Sequence, residues 1–173
     1  MGSTEMKGLM QMRSILVAVA ATLALMAFPA AAAAATHNDT VAGTEIAETS
    51  TQGTFVGKAT GDLPGAWKAV VQHTPLSPSA TITGGSFRFL TTSLQIIVGT
   101  FNPGGTVTQL NPGAGCTNQT YLVQDTLSNV GVGSPGSGSG TFQVVLTHFR
   151  ANFPFVGCQT FAATVQGTLS LTF

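Results

Sequence analysis

From residue 53 onward the chain alternates. Phe161, Ala163, Val165, Gly167, Leu169, Leu171 and Phe173 are interleaved with Ala162, Thr164, Gln166, Thr168, Ser170 and Thr172, so a strand built from them has one apolar and one wet face. Phe142, Val144 and Leu146 share a face that continues to His148, and Trp67, Ala69 and Val71 share one that continues to His73. No segment keeps a helical period for three turns. The pattern predicts eight strands, near residues 54–61, 66–74, 80–90, 94–101, 106–110, 117–128, 140–150 and 160–173. Asp62-Leu63-Pro64-Gly65 and Asn102-Pro103-Gly104-Gly105 supply turn chemistry between them, and Gly84-Gly85 reads as a bulge within a strand. Short connections imply an antiparallel meander. Eight such strands close into a small all-β barrel, with a β-sandwich as the alternative.

The N-terminal part follows other rules. Lys7 and Arg13 precede an apolar stretch from Ser14 to Phe28, then Pro29 and the run Ala30 to Ala35. That order is the one found in a secretory signal peptide, expected over residues 1–35, and its apolar part is short of the roughly 20 residues a spanning helix needs. The expected product is secreted or associated with the cell envelope, with no membrane span once the signal is removed. Residues 36–52 are polar, carry Asp39, Glu45 and Glu48, and lack an apolar face. They are expected to be a flexible leader to a barrel domain over residues 53–173.

Charged residues are only 7% of the chain, against about 25% in ordinary soluble domains. Thr, Ser, Gln, Asn and Gly must therefore keep the surface wet, as in many secreted β proteins. In the barrel region Lys58, Lys68, Arg88 and Arg150 are set against Asp62 and Asp125, too sparse to track a phosphate backbone, so nucleic acid is not an expected partner. Cys116 and Cys158 both lie in the exported part, where a disulfide persists, and two cysteines alone give too few ligands for a metal site. They precede strands two apart in the meander, about 9.6 Å from each other. The bond must then be made by loop residues reaching across, with Phe153 and Phe155 expected to cap that end.

Chemical motifs are few. Gly131, Gly133 and Gly136 satisfy GxGxxG, but a strand follows where a dinucleotide site needs a helix, so Gly131 to Gly140 is expected to be a flexible hairpin loop. There is no GxSxG elbow, HExxH, CxxC or P-loop. A metal held by His37, His73 and His148 would require three distant residues to converge, one of them in the leader; neither metal nor cofactor is expected. One constellation does stand out. If the faces ending in His73 and His148 both point inward, the two imidazoles sit near one mouth, and the face Tyr121, Val123, Asp125 adds a phenol and a carboxylate. An apolar cavity with a few convergent polar groups is a small-ligand site; the same residues could equally be the polar rim of a filled core. Arg150 shares the face of His148 and marks that strand as leaving the interior, so His148 is expected to be a half-hydrated rim residue.

Two short stretches resemble known families. Gly65-Ala66-Trp67 resembles the Gly-x-Trp that opens the first strand of lipocalins and avidins, although here it falls on the second predicted strand. That likeness implies an arginine packed on the tryptophan, a role open to Arg150. Gly138-Ser139-Gly140-Thr141-Phe142 is similar to the glycine-rich entry to a late strand in dirigent and allene oxide cyclase barrels, some of which bind or steer hydrophobic substrates. Both likenesses imply an eight-stranded barrel, and neither carries catalytic residues over. The expected function is binding of a small apolar or amphipathic molecule through Trp67, His73, Tyr121, Asp125, His148 and Arg150. The alternatives are a cyclase- or isomerase-type enzyme using the interior His, Tyr or Asp, and a structural or adhesive envelope protein.

Overall fold

Among the described residues of the computed structural model there are nine strands, β1 (Thr36–Thr49), β2 (Gln52–Gly61), β3 (Gly65–His73), β4 (Ser79–Thr91), β5 (Ile96–Phe101), β6 (Thr106–Gln109), β7 (Gln119–Val132), β8 (Gly138–Phe153) and β9 (Gly157–Thr172). It describes residues 33–111 and 115–173, so nearly all of the expected signal peptide lies outside the described residues. Every pairing is antiparallel, and β1, β2, β3, β4, β5, β7, β8 and β9 close into a ring that returns to β1. The fold is therefore the closed eight-stranded antiparallel barrel. β6 is an extra strand outside that ring, paired with the start of β4 and with β7 from Tyr121 to Gln124.

The expected flexible leader is corrected: residues 36–49 form β1, hydrogen-bonded to β2 on one side and to β9 on the other. Its inward positions are Asp39, Val41, Gly43 and Glu45, of which only Val41 is a bulky hydrophobe, so no apolar stripe announced it. Two backbone ladders hold it in place instead. Gly43 is needed where it stands, because a Cβ there would lie 2.4 Å from the Val56 carbonyl and 2.7 Å from Cζ2 of Trp67.

The interior is packed with side chains. Phe89, Ile82, Ile97, Leu127, Leu171 and Val130 are fully buried, and among the described residues the recesses between the interior side chains include ones of only about 40 and 20 Å³. An eight-stranded ring is just wide enough for side chains to fill, and this barrel is not hollow. The glycine pair of β4 does bend the strand: Gly84 and Gly85 have φ of 148° and 142°, and the pairing with β3 slips by one residue there.

Cys116 and Cys158 form a disulfide with Cα atoms 5.5 Å apart. Cys158 belongs to β9, opposite Asn152, in a β8–β9 hairpin that runs on as far as the Phe153–Gly157 pair. Phe153, Phe155 and Val156 at its tip are exposed, so the expected aromatic cap is corrected. Phe161 is also corrected. A register shift between Phe149 and Arg150 leaves it as an extra residue on β9, turned outward beside Phe149 with ring centroids 6.5 Å apart.

Candidate functional site

Polar side chains gather at the end of the barrel where β1 finishes and β2 begins. The cause is local. Glu45 pairs with Phe55 but Ala47 pairs with Thr54, so Ile46 is a bulge residue in β1. One extra residue reverses which side the following side chains take. Glu48, three positions after Glu45 and opposite Gly53, consequently lines the same recess as Glu45, while Ile46 is turned to the outside. The shift in β9 does the same for Thr160, which pairs with Arg150 of β8 and lines the mouth with it.

His148 Nε2 lies 3.0 Å from Glu45 Oε2, with the two side chains only 5% and 7% exposed. The reading of His148 as a half-hydrated rim residue is therefore corrected, since an acidic partner from β1 lets the strand carry it inside. Tyr121 meets the imidazole edge to face, centroids 5.5 Å apart, and donates its hydroxyl to Gln119 Oε1 at 3.0 Å. His73 Nδ1 lies 2.7 Å from the Thr74 carbonyl, which can only accept. Nδ1 is therefore the donor in this contact. Burial raises the Glu48 carboxyl above the usual carboxylate range, and the neighbouring Glu45 adds to this while His148 and His73 oppose it. Burial likewise raises the Tyr121 phenol, against the pull of Arg150.

Above these groups opens a vestibule of about 620 Å³, lined by Glu48, His73, Leu76, Tyr121, His148 and Arg150 among others. Below it the 40 Å³ void is walled by Trp67, Val71, Phe142 and Leu146. The mouth thus joins a wet rim to an apolar floor.

Four of the six residues expected to meet do so: His73, Tyr121, His148 and Arg150 share the vestibule. Trp67 lies deeper, its indole N–H donating to the Lys58 carbonyl at 3.0 Å, and among the described residues no cation–π contact joins it to Arg150. Asp125 faces a separate recess with Gly104, Gly105 and Gln143. There burial raises its carboxyl, the Thr126 N–H opposes that rise, and Oδ2 has no hydrogen-bond partner. His37, paired with Leu171 and tilted against Phe173, stands near the opposite end of β1 from Glu45 and Glu48. Those two glutamates are the site residues sequence reasoning missed, because they sat in the segment assigned to the leader.

Among the described residues no helix is long and apolar enough to cross a membrane. Comparison of the chain with protein-family models, curated proteins and solved structures finds no match.

Proposed function

We propose that this is an exported barrel that binds a small amphipathic molecule at its mouth. The observation that carries the reading is the 620 Å³ vestibule, a size within the usual range of about 300–1,000 Å³ for ligand pockets. Pro75, Leu76 and Pro78 in its lining would meet the hydrophobic part of the ligand, and His73, Tyr121, Glu48 and Arg150 would hydrogen-bond or pair with its polar end. Voids of 40 and 20 Å³ leave no room for a ligand in the lumen. Export fits the disulfide and the N-terminal sequence pattern.

The test is an NMR titration with anilinonaphthalene sulfonate, an amphipathic probe. Saturable one-to-one binding with shifts confined to Leu76, His73, Tyr121 and their neighbours supports the reading, and Leu76→Asp should weaken it at least tenfold. Absence of saturable binding, or shifts centred on another face, overturns it for this class of ligand.

A second reading, acid–base catalysis on the bound molecule, is favoured by the buried Glu45–His148 contact. A carboxylate that holds an imidazole in one tautomer is a recurrent arrangement for proton transfer. Turnover of a bound ligand, abolished by His148→Gln with binding retained, would distinguish a catalyst from a carrier.

A further inference from the structure

Glu45, Glu48 and His148 come together from strands distant in sequence, and one ligand atom from each lies within 4.8 Å of the other two. The Glu45 side chain is only 7% exposed, and among the described residues its one side-chain hydrogen bond is the contact of Oε2 with His148 Nε2, so Oε1 remains available to a further partner. Glu48 has no hydrogen-bond donor among the described residues. Two carboxylates and one imidazole thus face one another at the mouth, whose lining also includes Arg150. A mixed oxygen and nitrogen set of this kind suits a divalent transition metal.

The spacing fits as well. Zinc holds nitrogen and carboxylate oxygen at about 2.0–2.2 Å, so two ligands at a tetrahedral angle stand about 3.4 Å apart. The 3.0 Å between His148 Nε2 and Glu45 Oε2 is close to that. Glu48 sits on an exposed stretch of β1, and rotation about its side-chain torsions can bring its oxygen from the observed range to bonding distance. The remaining coordination positions would face the vestibule.

We propose that the mouth of the barrel holds one divalent transition-metal ion through Glu45, Glu48 and His148, with a coordination position open to solvent. The bulge at Ile46 is what makes the site, since regular alternation would send Glu48 to the other face from Glu45. The arrangement has three protein ligands and an open position, as catalytic zinc sites do. The inference does not depend on the organic ligand proposed above.

The experiment is calorimetric titration of the oxidised protein, first stripped with chelator, with Zn²⁺ in the absence of any organic ligand. One equivalent should bind, and both Glu48→Gln and His148→Gln should weaken binding at least tenfold, while His37→Gln leaves it unchanged. Glu48→Gln alters an exposed side chain, so its fold can be verified by its melting curve. Co²⁺ should give visible absorption bands in the wild type that are lost in Glu48→Gln. No saturable binding of either ion would overturn the proposal, and so would binding that survives both mouth substitutions or is lost with His37. A failure here leaves the amphipathic-ligand reading standing, and failure of the probe titration leaves this one standing.

Discussion

Glu45 and His148 are 103 residues apart in sequence, yet Oε2 of one lies 3.0 Å from Nε2 of the other inside the end of the barrel. Each is the other's main reason for being buried. Glu45→Ala would leave the imidazole without its acceptor, and should lower unfolding free energy by about 2 kcal/mol. Glu45→Gln should cost less, because its amide oxygen can still accept from Nε2. Urea denaturation of the two variants checks the order. Equal stabilities for Glu45→Ala and wild type would mean that water replaces the carboxylate without loss.

Gly43 sits under the indole of Trp67, with no room for a methyl group. Gly43→Ala should cost about 1–3 kcal/mol through overpacking. It should also shift the emission of Trp67, the chain's single tryptophan. An unchanged melting curve together with unchanged emission would show that β1 can move away from Trp67 freely.

Asp125 gives a pH dependence of definite sign. Its carboxyl is raised in the folded protein by burial, so the folded state holds the proton more tightly than the unfolded chain does. The stability this contributes is fully present below the unfolded pKa of about 3.9 and is lost as pH rises through the folded value. Asp125→Asn should therefore stabilise the protein at pH 7 and match the wild type near pH 3. Comparing urea midpoints of the two proteins at both pH values tests this, and a pH-independent difference would count against it.

The disulfide ties the loop before β7 to the extended β8–β9 hairpin, closing a separation of 42 residues. In the chain-entropy picture this contributes about 4 kcal/mol. Replacing both cysteines with serine should lower the melting temperature strongly while leaving the far-ultraviolet spectrum of the barrel intact at low temperature. Circular dichroism melting of the double variant reads both quantities.

The strands from β2 to β9 were legible because apolar and polar residues alternate along them, and the turn residues at Pro64-Gly65 and Pro103-Gly104 separate them. β1 was not, since a strand hydrogen-bonded on both sides needs few hydrophobes: it contributes Val41, a glycine and the three acids Asp39, Glu45 and Glu48 to the inside and the mouth. With β1 unread, the partner of His148 was unread too, which is why the imidazole looked like a rim residue. Bulges supply the other misreadings. A single extra residue sends Phe161 outward and Glu48 inward, against the simple alternation in each case. Bulges leave little trace in composition, and here both stand beside the candidate site, as bulges often do.

Because β1 pairs with β9, as in Thr36 with Thr172 and Gly43 with Val165, the first and last strands of the ring are neighbours. A ribosome delivers β1 long before β9 exists, so the ring cannot be sealed until synthesis has passed the final strand, and non-local pairing of this kind is slow to form. Until then both flanking edges remain open and the Glu45–His148 pair is incomplete. Under the proposed export such lateness would have a use: a polypeptide whose closure waits for its last strand stays open, and hence threadable, for longer.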